Sequence, residues 1–244
     1  MFHNNSIYYF VNKKIIYIYK YIYIYINIYM IIPIGIQCTN AKFKKSFEHT
    51  HTLPFDWMFS TPSFVFEMLE LLLEKNINIE YIVKNHFFYC EKRANLNGLE
   101  HYICDNNGFA LFNTKYNVIF PHDENNIDSI NKYIRRFERL KDIILNSTEC
   151  LYFIYTSQSS LESGNFTIDG KIVIHDVYVY LSKIYKLISK FRNNYKIILF
   201  DTIQEEQISL LDENITLIKL NKCNSWSQLV PQMIEHNFFT KSAF

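Results

Sequence analysis

The chain is poor in the residues that punctuate loops. Its 244 residues include only five glycines and five prolines, which excludes a linker-rich, collagen-like or short-repeat architecture. Neither sign of charge prevails, since 25 Lys and Arg stand against 24 Asp and Glu for a net charge of +1. No whole-molecule field therefore points to nucleic acid or to an acidic membrane. The five cysteines, at positions 38, 90, 104, 150 and 223, form an odd set with no Cys-x-x-Cys pair, so neither a disulfide framework nor a zinc site is indicated. A glycine-rich phosphate loop and metal-ligand spacings are also lacking, and no cofactor or metal is expected. A reducing cytoplasm is the simplest compartment.

What the chain has in abundance is apolar and aromatic side chains, 49% and 17% of the sequence, enough for a sizeable core in one large domain or two small ones. Residues 17–29 read YIYKYIYIYINIY, a two-residue repeat that a run of alternating T and A bases would encode. Residues 1–29 are thus expected to be a low-complexity Tyr/Ile extension, disordered or outside the native protein, with Met30 as the start. Membrane anchoring through residues 15–36 is the competing reading. Lys20, Asn27, Pro33 and the dense tyrosines make that stretch a poor hydrocarbon-spanning helix, because Tyr belongs at the interface. Residues 30–244 are expected to form a single α/β domain.

Past the repeat, strand-like and helix-like pieces alternate. Residues 30–36 are a short continuous apolar run, as in a strand buried on both faces, and 39–48 have helical composition with Thr39 or Asn40 available as N-cap. Ser60 or Thr61 before Pro62 opens a helix that carries Phe64, Met68, Leu71 and Leu72 as far as Lys75. Ile127, Ile130, Ile134, Phe137, Leu140 and Ile144 recur at helical spacing. Residues 79–121 hold aromatic-rich runs, HFFYC and NVIF, between polar segments, and read as an insertion of short strands or irregular loops. Further on, 150–156, 196–201 and 215–220 read as strands, 176–192 and 203–211 as helical pieces, and 157–170 as a Ser/Gly/Asn loop. The expected fold is α/β, a mostly parallel sheet flanked by helices in a Rossmann-like three-layer arrangement. In such sheets ligands bind at the carboxyl edge.

Cys38 falls where the first strand turns into the first helix. A thiol there gains from the positive end of the helix dipole, and the backbone N–H groups of Cys38 and Thr39 can hold a developing oxyanion. A cysteine nucleophile also needs a base, normally a histidine, which in turn needs an orienting group. His122 is the best placed, because Phe120-Pro121-His122-Asp123 ends a strand-like run ahead of the long helix. Asp123 adjoins it and Asp56 lies in the compact Pro54-Phe55-Asp56-Trp57 motif; either could orient it. His175 is the second candidate base. His49 and His51 sit in an EHTHT segment with no reason for fixed geometry, and His86 and His101 read as surface or packing residues. The bland alternatives are a buried cysteine, a structural aromatic corner, an N-cap and a solvated arginine face.

GIQC at 35–38, LPFDWMFS at 53–60, the amphipathic helix that follows and FPHD at 120–123 before NKYIRRFERL together resemble the family described as putative papain-like cysteine peptidases. This is a domain of unknown function found in bacteria, large DNA viruses and some eukaryotes. The family pattern of Gly-x-x-Cys, Pro-Phe-Asp-Trp, His-Asp and an arginine-bearing helix is matched at Gly35, Cys38, Pro54, Phe55, Asp56, Trp57, His122, Asp123, Arg136 and Arg139, over about residues 31–156. The resemblance implies Cys38 as nucleophile, His122 as base and an Asp as orienter, with Trp57, Arg136 and Arg139 as candidate substrate contacts. The alternating α/β pattern departs from a two-lobed papain fold, and a strand-to-helix nucleophile turn serves acyl transfer in either architecture. The expected activity is a cysteine-dependent hydrolase or acyl transferase acting on a small-molecule, peptide or glycan substrate. The alternative is a non-catalytic α/β module that binds a glycan or nucleotide-like ligand.

Overall fold

The computed structural model describes residues 29–35, 38–47, 49, 51–89, 92–95, 109–113, 115–116, 118–156, 165–168, 171–174, 177–201, 212–221 and 226–236. Its centre is a sheet of four parallel strands, β1 (Tyr29–Pro33), β5 (Cys150–Thr156), β8 (Tyr195–Asp201) and β9 (Ile215–Lys219), hydrogen-bonded in that order. Met30 registers with Leu151, Leu151 with Tyr195 and Ile197 with Ile215. Parallel strands need helical crossovers, and those helices cover both faces, so the strands are apolar almost throughout. Alternation then sorts their side chains. Ile32, Leu151, Phe153, Tyr155, Ile197 and Leu199 face one layer, and Ile31, Tyr152, Ile154, Ile198 and Phe200 face the other.

The first layer contains α2 (Pro62–Leu69), α4 (Ile127–Asn146) and α5 (Val177–Ile188), with α2 packed on α5. The second is α1 (Cys38–Lys45) against α6 (Trp226–Glu235). The expected three-layer α/β fold is what the chain forms. Helix starts follow local chemistry: Thr61 caps α2 by accepting from the Phe64 N–H at 3.2 Å with Pro62 next in line, and Asn126 caps α4 by accepting from the Ser129 N–H at 2.9 Å.

Residues 79–121 differ in part from expectation. The HFFYC run begins in a helix: Asn78 caps α3 (Ile79–Ile82), which continues as a π-helical turn, Val83–Phe87, and leaves Phe87 and Phe88 both buried. Burial of both neighbours, which periodicity reads as a strand signal, comes here from the chain leaving the helix at Phe88. The strands that do form are β2 (Lys92–Asn95), β3 (Phe109–Asn113) and β4 (Val118–Phe120), in a small antiparallel sheet. Residues 165–168, expected as loop, form β6 (Asn165–Ile168), which pairs with β7 (Lys171–Ile174) as a hairpin. The strand β1 begins at Tyr29, one residue before Met30. The expectations for residues 1–28 and 203–211 lie outside the described residues. Among the described residues no helix is long and apolar enough to cross a membrane.

The small sheet and the large one share a core through Phe87, whose ring lies 4.8 Å from those of Tyr133 and Phe137, 5.3 Å from Phe120, 5.5 Å from Phe64 and 5.9 Å from Phe55. Aromatic pairs at these separations add to the burial they bring. Phe87→Ala is therefore expected to lower the unfolding free energy by about 3–5 kcal/mol, and Thr61→Ala by about 1 kcal/mol. Urea denaturation measures both, and a Phe87→Ala cost no larger than that of Thr61→Ala would contradict this hub.

Candidate active site

The carboxyl end of β1 is built around a close approach. Gly35 has φ +131°, and a Cβ there would stand 2.9 Å from Tyr155 Cε2 and 3.1 Å from Ser60 Oγ, so only glycine fits. Three residues later Cys38 begins α1. The N-terminus of α1 is pinned to the end of β5: Asn40 Nδ2 donates to the Ile154 carbonyl at 3.3 Å, and Thr156 Oγ1 donates to Asn40 Oδ1 at 2.5 Å. The core stripe of α1 is Asn40, Phe43 and Lys44, continued by Phe47 in the turn just past its end. Lys44 is thus a cation on an inward face. Lys42 and Lys45, spaced three apart, share a different stripe.

Lys44 finds a partner in the Pro-Phe-Asp-Trp turn. Its Nζ lies 2.9 Å from Asp56 Oδ2, with side chains only 4% and 3% exposed, and it also donates to the His51 carbonyl. Asp56 Oδ2 accepts from the Leu53 N–H at 3.0 Å as well. The turn then runs into a two-way backbone bridge, Phe59 N to Ile119 O at 2.9 Å and Ile119 N to Phe59 O at 3.1 Å. Because that pairing is antiparallel, Trp57 is brought opposite the residues after β4. His122 is there: its ring meets the Trp57 ring edge-on at 5.9 Å, and Lys45 Nζ sits over the Trp57 ring, 5.1 Å from its centroid.

Residues 29–169, from β1 through the β6 strand, match the family "Putative papain-like cysteine peptidase (DUF1796)". The chain belongs to this family. No curated protein and no solved structure matches the chain. The family stretch contains Cys38, Thr39, Asp56, Trp57, His122, Asp123, Arg136 and Arg139, and His175, the second candidate base, lies beyond it.

Within this family member the two aspartates do different work. Asp56 is buried, and burial pushes its carboxyl up, opposed by the Lys44 ammonium and the Leu53 N–H. Its contacts tie α1 to the turn. Asp123 adjoins His122, yet its oxygens accept from Lys132 Nζ and, at 2.5 Å, from the Tyr133 hydroxyl. His122 is exposed on one side, and the desolvation of the rest of its ring holds its pKa below the ordinary histidine value. The charge of Asp123 opposes that lowering, and the Lys42 and Lys132 ammoniums reinforce it. The imidazole is therefore neutral at neutral pH.

Arg139 Nη1 donates to the Thr52 carbonyl at 2.6 Å, and the Arg136 guanidinium lies over the Tyr133 ring at 5.1 Å. His49 packs edge-on against Tyr29 at 5.7 Å and is held down to about 4 by burial and by the nearby Lys44. His86 bonds Tyr116 through Nδ1 at 2.8 Å. His101 and His175 lie outside the described residues. Two buried hydroxyls, Thr39 Oγ1 and Ser60 Oγ, have no hydrogen-bond partner among the described residues; such groups ordinarily receive water or a ligand. Away from the motif residues, a cavity of about 380 Å³ lies between α2, α5 and the turn at Lys115 and Tyr116.

Sequence reasoning missed Lys44. A lysine on the apolar stripe of a short helix is the available signal, because a buried cation requires a partner. Lys44→Met, which strands the Asp56 carboxylate, is expected to cost about 3–5 kcal/mol, whereas Lys44→Met/Asp56→Leu recovers most of it. Chemical denaturation of the three proteins checks this, and a single variant as stable as the double one would contradict the pairing.

Proposed function

We propose that the chain is a cysteine-dependent hydrolase or acyl transferase in which Cys38 attacks a carbonyl and His122 takes the thiol proton. The observation that carries this reading is the neighbourhood of α1: Cys38 begins the helix, and Lys45 on the same helix sits over the Trp57 ring, which His122 meets edge-on. A nucleophile needs a base within reach, and these contacts set α1 and His122 against the same indole.

The reaction follows in order. The Cys38 sulfur adds to the carbonyl carbon as its proton passes to neutral His122, and the negative charge moves to the carbonyl oxygen. The N–H groups of Cys38 and Thr39 at the start of α1 stabilise that oxyanion, helped by the helix dipole. His122 returns its proton to the leaving group, the thioester forms, and water or another acceptor later releases the acyl group by the same proton traffic. Asp123 supports the imidazolium electrostatically; Asp56 acts through Lys44 by fixing α1, and is a positioning residue. Trp57 walls the site beside His122, and Arg136 and Arg139 hold the surrounding backbone and rings.

p-Nitrophenyl acetate supplies a test of acyl chemistry. Acetylation, read by p-nitrophenolate release and located by peptide mass, is expected at Cys38 ahead of the other cysteines, and His122→Ala slows it about 10²-fold or more with the circular dichroism spectrum unchanged. Acetyl groups spread evenly over the cysteines, or an undiminished rate in His122→Ala, would refute the assignment.

A further inference from the structure

The cavity away from the motif residues carries charge of both signs around aromatic walls. Its volume, about 380 Å³ between α2, α5 and the turn at Lys115 and Tyr116, falls within the ~300–1,000 Å³ usual for small-molecule sites. α2 brings Phe66 and Glu67 to it, with Glu70 just past the helix end, and α5 brings Tyr180 and Lys183 at helical spacing. Lys183 is a cation set in place without an acid. Its Nζ lies 4.4 Å from the centroid of the Tyr180 ring and 5.8 Å from that of Phe66, contacts in which the ring faces attract and orient an ammonium. Among the described residues no carboxylate pairs with it. The two acids each have one oxygen engaged: Glu67 Oε1 accepts from the Tyr116 hydroxyl at 2.7 Å, and Glu70 Oε2 from Lys75 Nζ at 2.5 Å. Tyr116 is itself tied to His86 Nδ1 at 2.8 Å, so Glu67 is held at the end of a fixed chain. The second oxygen of each glutamate has no partner among the described residues.

We infer that this cavity is a second binding site and that it takes a free α-amino acid with an aromatic side chain. The carboxylate of the ligand meets Lys183, its ammonium meets the unengaged oxygens of Glu67 and Glu70, and its ring packs on Phe64, Phe66 and Tyr116. The charge pattern selects this class. An anion without a positive group would face two carboxylates, and a cation without a negative group would face Lys183 and Lys115; like charges brought together are a penalty in either case. A zwitterion answers both signs at once. The lining rings favour an aromatic side chain, since ring pairs add to the area they bury. The inference stands apart from the hydrolase reading and uses none of its residues.

Calorimetric titration of the full chain with L-phenylalanine and three relatives separates the parts of this claim. Phenethylamine lacks the carboxylate, 3-phenylpropionate lacks the amine and L-alanine lacks the ring. L-Phenylalanine is expected to bind saturably, and each relative about tenfold more weakly or worse, as befits a lost charge-assisted hydrogen bond or a lost ring contact. Two variants then locate the binding. Lys183→Met should abolish the preference for L-phenylalanine over phenethylamine while leaving its preference over 3-phenylpropionate. Glu67→Gln/Glu70→Gln, in which an amide oxygen can still accept from Tyr116, should do the reverse, with the circular dichroism spectrum of both variants unchanged. This crossed pattern is one that a general loss of structure would not give. Absence of saturable L-phenylalanine binding, or equal binding of any one of the three relatives, would overturn the ligand class. Preferences unmoved in either variant would overturn the site.

Discussion

The arrangement of this site depends on one buried ion pair. Lys44 reaches from the inward face of α1 to Asp56 in the Pro-Phe-Asp-Trp turn, 2.9 Å away, with both side chains almost fully enclosed. Removing two charges from water is costly, and such a pair is seldom a net source of stability. What it provides is a unique relation between two segments. One segment begins with Cys38; the other continues into Trp57 and, through the bridge of Phe59 with Ile119, stands against His122. An apolar contact would allow sliding, whereas a buried ammonium with two acceptors, Asp56 and the His51 carbonyl, fixes the turn in one place.

The same logic accounts for the glycine before the cysteine. At Gly35 the backbone passes so close to Tyr155 and Ser60 that no side chain is admitted, which brings the end of β1 and the start of α1 down onto the edge of β5. Asn40 and Thr156 then lock that edge. The helix start is thereby held at the carboxyl side of a parallel sheet, the side on which α/β folds ordinarily receive ligands.

Much of this was legible in the sequence. The 150–156 run is continuous, mostly apolar and rich in aromatic and β-branched residues, and it is β5 to the residue. Thr61-Pro62 combines the two strongest helix-start signals, and α2 begins there. The motif residues at 35, 38, 54–57 and 122–123 could be named, and the match over residues 29–169 rests on the same stretch. Tertiary pairings were hidden. Nothing in the local pattern joins Lys44 to Asp56 or Phe59 to Ile119, since each bond is decided by elements that meet only after folding. The helical stretch at 79–87 carries the HFFYC run, whose adjacent phenylalanines suggest short strands or irregular loops because they mimic a doubly buried strand. The final helix, Trp226–Glu235, holds Pro231 inside it, a residue that ordinarily breaks a helix and so masks its signal.

The central claim is that Cys38 and His122 form one reactive pair. Dibromoacetone tests it directly, because each of its two C–Br carbons alkylates one nucleophile and the spacer is only three carbons long. The account predicts a covalent bridge between Cys38 and His122, identified by mass spectrometry of the digested protein, with loss of two bromides. A bridge from Cys38 to a different histidine, or single alkylation of Cys38 with His122 untouched, would contradict it.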